Sequence, residues 1–271
     1  MKSILLHVAN DNGFEGRMQV ALDLAREFGG HLTCFQPVVL EMAFTGDLYG
    51  TASAVMVTAA QENAQKHRDE VEAHLAKEDV QWDWITEFGS PESRLIDHSG
   101  LHDVVVVGAI EREGGARRAS AMVGDLAIYA RAPVLVVPAG AKGVDVDGPA
   151  MVAWNGSVEA GNALRAALPV LARASSVRIV VVAGRKGQSG LQIGAGEAAQ
   201  YLSRHGIASE VLELPCNSDG IARTLVDHAR IEGVSCVVMG CYGHSRLRET
   251  VFGGVTQEML ANVEVPLLLA H

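Results

Sequence analysis

The sequence predicts an α/β fold of two tandem five-stranded parallel-sheet domains, each an open sandwich with helices on both faces. Three observations carry this. Short Val, Ile and Leu runs alternate with helical patterns along the 271 residues, and such alternation builds right-handed βαβ units on parallel sheets. Val104-Val105-Val106-Val107 is a continuous apolar run, as a strand buried on both faces requires. The second half then restates the first, element by element.

In the first half, the apolar run around Ile4-Leu5-Leu6 predicts strand 3–9, followed by helix 13–29 and strand 31–37. A long helical pattern covers 53–77, then strand 80–88 and helix 90–100. The valine run marks strand 103–108, and helix 119–131 leads to strand 133–137. The second half reads as strand 150–155, helix 157–173 with Ser157 as its N-cap, strand 176–183 and helix 191–205. Strand 207–214, helix 218–232, strand 234–240, helix 253–263 and strand 265–269 complete it. Ile4-Leu5-Leu6 falls on Met151-Val152-Ala153, Asp97-His98 on Asp227-His228, and Val105-Val106-Val107-Gly108 on Val237-Val238-Met239-Gly240. The first half carries an insertion, roughly 41–57, that reads either as a packed loop and longer helix or as a lid or partner surface. Segment 138–148, small and polar with three glycines, is the linker. The domains are therefore 1–140 and 149–271. Their closing strands, 133–137 and 265–269, are apolar edges that need cover, so an intramolecular pseudo-dimer is expected.

Composition sets limits on partners. Hydrophobic residues make up 48% and charged residues 20% of the chain, so a real core forms. The net charge is −10, which argues against nucleic acid or an anionic membrane as the main partner. No apolar run approaches the roughly 18 residues that cross a bilayer, and the opening segment lacks a signal-peptide core. Cys34, Cys216, Cys236 and Cys241 form no C-x-x-C pair and read as reduced thiols of a cytoplasmic protein. No His/Cys set has zinc spacing.

The strongest chemical signal is Gly240-x2-Gly243-x9-Gly253-Gly254-Val255-Thr256, running from the end of a strand into a helix. Ligands of open parallel sheets bind at the carboxyl ends of strands near a switch point. Backbone N–H groups of Gly253, Gly254 and Val255, with the Thr256 hydroxyl, would face an anion at a helix N-terminus. The first half lacks this loop: Ala109-Ile110-Glu111 follows Gly108, and Ser120-Ala121 stands where the paired glycines would be. Glu111 and Glu113 would repel a phosphate there, whereas Arg112, Arg117 and Arg118 offer another way to hold an anion or else a solvated loop.

These residues resemble the universal stress protein family in its tandem two-domain form, over nearly the whole chain. The motifs that carry the resemblance are the glycine loop with the following Val265-Pro266-Leu267 strand, and Ala153-Trp154-Asn155-Gly156-Ser157. It implies the adenine nucleotide alpha hydrolase-like arrangement, a cytoplasmic stress-response regulator, and ATP or a related adenine nucleotide, with Mg2+, in the second half. Phosphates would lie on Gly240, Gly243, Gly253, Gly254, Val255 and Thr256. Ala153 and Asn155 would hold the adenosine, Val182 would pack on adenine, and Met239 would line the pocket. Two positions depart from the family pattern: Asn155 stands for an aspartate, and Gly254 for a serine or threonine. Trp154 either stacks on a base or packs in the core. His244, Arg246 and Arg248 either fold over a triphosphate or stay solvated.

Other chemistries find no support. The phosphate-loop signature G-x-x-x-x-G-K-[ST] and the nucleophile elbow G-x-S-x-G are both missing, and Gly194-Ala195-Gly196 falls short of a dinucleotide fingerprint. No carboxylate pair is set for acid–base work, and no catalytic residue or metal ligand is assigned. The reading is a non-catalytic, nucleotide-responsive protein that pairs its own halves and can pair with a second chain. The alternatives are a weak ATP-hydrolysing enzyme and a nucleotide-free scaffold for another small ligand.

Overall fold

The computed structural model describes residues 1–39, 51–113, 116–119, 121–183, 193–241, 254–262 and 264–271. The first half contains β1 (Ser3–His7), α1 (Phe14–Phe28), β2 (His31–Val38), α2 (Thr51–Leu75), β3 (Gln81–Phe88), α3 (Pro91–His98) and β4 (Val104–Gly108). A short hairpin, β5 (Ile110–Glu113) and β6 (Ala116–Ala119), leads to α4 (Ala121–Tyr129) and β7 (Val134–Val137). The second half has β8 (Ala150–Ala153), α5 (Val158–Ala166), α6 (Leu168–Leu171), β9 (Val177–Ala183), α7 (Ala195–Arg204) and β10 (Glu210–Pro215). It ends with α8 (Ile221–Ile231), β11 (Cys236–Gly240), α9 (Gly254–Asn262) and β12 (Leu267–Ala270).

Among the described residues, ten strands form one sheet in the order β10-β9-β8-β11-β12-β7-β4-β1-β2-β3. Each half is parallel within itself. The halves join where β12 pairs antiparallel with β7, Leu268 opposite Leu135. The two apolar closing strands thus cover each other. Residues alternate along each strand between two core layers. Ile4, Leu6 and Val8 face α1, α2, α5 and α7, whereas Leu5, Val105 and Val107 face α3, α4, α8 and α9.

Four details differ from the sequence reading. Helix 157–173 is two helices, because Pro169 has no N–H to continue the ladder, and α6 starts beside it. Helix 90–100 ends at His98, and a 3-10 turn follows over Ser99–Leu101. There the Ser99 hydroxyl donates to Ile96 O at 2.7 Å and accepts the Arg131 N–H at 2.9 Å. A hairpin, not a loop, follows β4, and β6 lies against α9 of the second half. Lastly, the match between halves is one residue off at the first strand. Leu5 pairs with Val105 and Met151 with Val237, so Leu5, not Ile4, corresponds to Met151. Of the insertion at 41–57, the first turns of α2 are described and 41–50 are not. The linker is fixed to α1, the Val144 N–H donating to Asp23 Oδ2 at 2.9 Å.

Candidate functional site

Within the second half, strand order reverses between β8 and β11, and the carboxyl ends of these strands form the crevice where such sheets hold ligands. Ala153 ends β8 and pairs with Met239 of β11, while Val180 of β9 pairs with Ala153 from the other side. Val182 lies two residues further along β9. Strand alternation turns Ala153, Val182 and Met239 to the same face, toward α8 and α9. Met239 is buried, and Ala153 and Val182 are half-buried. They make an apolar floor at the strand ends.

Helix α9 returns the chain from that edge to the start of β12, so its N-terminus stands at the same edge. The first three helical residues, Gly254, Val255 and Thr256, have N–H groups without intrahelical partners. Gly254 is exposed, and a Cβ placed on it meets nothing within 4 Å. Val255 is half-buried and Thr256 is buried. Gly243 and Gly253, with His244, Arg246 and Arg248, lie outside the described residues.

Gly240 owes its constraint to packing. A Cβ there would fall 2.4 Å from Ala160 N and 2.5 Å from Glu159 C. The bare end of β11 is therefore the seat of α5, a role that the phosphate reading of this glycine did not include. Asn155 is exposed, and its Oδ1 accepts the Ser157 N–H at 3.1 Å while Gly156 turns at φ 75°. Ser157 Oγ then accepts the Ala160 N–H at 3.2 Å, the predicted cap of α5. The Asn155 oxygen thus serves the turn, and its amide hydrogens are what it offers to a ligand. Trp154 is core: it is 6% exposed, packs on the α5 side, and donates Nε1–H to Ile193 O at 2.9 Å. A cavity of about 270 Å³ between α8 and α9, lined by Val226, Val234, Met259 and Leu267, lies at the opposite edge of the strands.

The first-half counterpart of this crevice holds residues that the sequence reading passed over. His7 ends β1 in the place of Ala153; it is 7% exposed and its Nε2 has no partner. Burial, then the Arg17 guanidinium, lowers its pKa to about 3, against an opposing effect of Asp11. Arg17 is 2% exposed and donates Nε–H to His7 O at 2.9 Å and Nη2–H to Asp11 Oδ2 at 2.9 Å. The available signal was its position: Arg17 stands on the same helical stripe as Phe14, Met18 and Ala21. The Asp97-His98 and Asp227-His228 pairs also diverge. His98 Nε2 is 3.1 Å from Glu87 Oε1, whereas β10 carries Leu214 at the matching position and His228 Nε2 is buried without a partner.

No protein-family model matches the sequence, and no curated protein matches it. Among solved structures, the chain is similar to a universal stress protein from Archaeoglobus fulgidus DSM 4304, with a TM-score of 0.75 and 13% identity over 98% of this chain and 97% of that one. It is similar also to a protein of unknown function from Pseudomonas aeruginosa PAO1, with a TM-score of 0.57 and 14% identity over 100% of this chain and 92% of that one. The chain has the tandem universal stress protein fold.

Proposed function

We propose that this chain is a universal stress protein whose second half binds an adenine nucleotide as a regulatory switch and not as a substrate. One observation carries the reading. An apolar floor of Ala153, Val182 and Met239 lies at the switch-point edge where the N-terminus of α9 also stands. The floor suits a flat base, and the N–H groups of Gly254, Val255 and Thr256 suit a phosphate. Asn155 amide hydrogens would meet the sugar or base, with Mg2+ accompanying a di- or triphosphate. Among the described residues, no group of three His, Cys, Asp or Glu is placed to hold a metal ion, so such an ion would depend on the nucleotide oxygens. No helix is long and apolar enough to cross a membrane among the described residues. A cytoplasmic setting, an intramolecular pseudo-dimer and pairing with a second chain belong to the same reading.

A second reading has its own support: the pocket takes a different small ligand, or none. The Asn155 oxygen is occupied by the Ser157 N–H. The open face of Gly240 is taken by the Glu159 and Ala160 backbone of α5.

Mass spectrometry of whatever the purified protein releases on denaturation separates the two. The nucleotide reading expects about one ATP, ADP or AMP per chain, absent from a Gly243→Val variant. A protein that releases none and takes up none on titration supports the second reading.

A further inference from the structure

We propose that the cavity between α8 and α9 is a second ligand site, for a small neutral aromatic molecule of up to two fused rings. It lies at the amino edge of β11 and β12, away from the floor of Ala153, Val182 and Met239, so the inference does not rest on the nucleotide reading.

The two halves supply the comparison. Asp97-His98 matches Asp227-His228, so Ser99 and Gly100 correspond to Ala229 and Arg230. Val134 pairs with Val105 as Leu267 pairs with Val237, so Arg131 corresponds to Glu264. In the first half, the end of α3 is bolted to the segment before β7. The buried Ser99 hydroxyl donates to Ile96 O and accepts the Arg131 N–H. The Arg131 stem also lies over Gly100, where a Cβ would be 3.6 Å from Arg131 Cδ. The second half has neither part of this bolt. Ala229 brings no hydroxyl, and Arg230 fills the place of the bare Gly100 and donates to Asp227 Oδ1 at 2.9 Å. Glu264 and Val265 consequently stand off α8, and a cavity of about 270 Å³ opens beneath them.

The lining decides the ligand. Val226, Ala229, Val237, Met259 and Leu267 are buried and Val265 is half-buried, so the walls offer no buried polar side chain to fix ordered water. A dry apolar cavity of about 150 Å³ admits one benzene ring, and the about 270 Å³ here has room for a second, fused ring. Met259, unbranched and pliable, adapts to a flat guest. Arg230 and Glu264 stand at the rim, both exposed and of opposite sign, so the entrance favours neither cations nor anions. A neutral ring with one polar edge suits such a rim, an N–H on that edge meeting the Glu264 carboxylate.

The test uses the full chain and indole, followed by calorimetry and by the methyl resonances of Met259 and Met239, which report on the two edges of the sheet. One indole per chain is expected, with Met259 shifting and Met239 unmoved. Ala229→Leu fills the cavity from its floor and is expected to weaken binding about tenfold or more, its added carbons taking apolar contact from the ring. If that variant does not fold, Val265→Phe, which fills the cavity from its half-buried rim, is expected to weaken binding by about the same factor. Indoleacetate and tryptamine, which put a charge of either sign on the same ring, are expected to bind no tighter than indole. No binding, a shift at Met239 in place of Met259, binding that survives the filled cavity, or a charged analogue that binds tighter overturns the proposal.

Discussion

His7 makes the stability of this protein sensitive to acid, by an amount that its burial sets. The imidazole is 7% exposed at the end of β1, beside the Arg17 guanidinium, and its pKa in the folded chain is about 3. In the unfolded chain it returns to about 6.5. A folded-state pKa below the unfolded one means that the unfolded chain takes up the proton first as pH falls. The stabilisation is therefore fully present above pH 6.5 and is lost toward pH 3, at about 1.4 kcal/mol per unit. Between pH 7 and pH 4.5 the loss amounts to roughly 3 kcal/mol, a large share of a typical folding free energy of about 5–15 kcal/mol. His7→Met fills similar space and cannot be protonated. Urea unfolding of both proteins across this range isolates the histidine, because the carboxylates and His67 titrate in both. The difference between the two stabilities should change by roughly 3 kcal/mol from pH 7 to pH 4.5, wild type losing more. Parallel curves would refute the reasoning, since they would mean that His7 gains its proton in the native state as easily as in the unfolded one.

Two glycines should respond in opposite ways. Gly240→Ala forces a Cβ to within 2.4 Å of the Ala160 backbone nitrogen and should cost about 1–3 kcal/mol in urea unfolding, whereas Gly254→Ala enters open space at the start of α9 and should be neutral or stabilising by up to about 1 kcal/mol. Equal effects would remove the packing argument for Gly240. Among the four cysteines, Cys216 is exposed while Cys34, Cys236 and Cys241 are buried, and burial pushes the thiols of Cys34 and Cys236 up to about 12. A thiol reagent should therefore label one site per native chain and all four after unfolding; rapid labelling of a second site in the native state would contradict the burial.

The fold was legible because buried parallel strands have a plain signature. The Val104 to Val107 run could only be a strand covered on both faces, and it is. The same uniformity hid the register. In Ile4-Leu5-Leu6 and Met151-Val152-Ala153 every residue is apolar, so no polar position marked the one-residue slip that strand pairing reveals. The hairpin of β5 and β6 was not legible, because Ile110–Glu113 and Ala116–Ala119 are mostly charged or small and read as solvated loop. In the candidate site, Ala153, Val182 and Met239 could be placed from strand ends alone. That the Asn155 oxygen caps a turn, or that Gly240 seats a helix, depends on contacts between segments that sequence spacing does not encode. Arg17 was missed for a related reason: an arginine in an amphipathic helix reads as surface unless the strand end opposite, here Gly108, is known to be bare.

The pairing of β12 with β7 has a consequence for synthesis. The last of the described strands in chain order, β12, lies at the middle of the ten-stranded sheet, between β11 and β7. As the polypeptide emerges, the first half can assemble with β7 as an open, fully apolar edge, and β11 waits equally uncovered on the other side. Four residues, Leu267–Ala270, then close both edges at once. Until they arrive, the nascent chain presents two unprotected strand edges of the kind that recruit other chains. The protein is thus most prone to aggregate in the interval before β12 is made, and substitutions in β12 should lower soluble yield out of proportion to the area that this short strand buries.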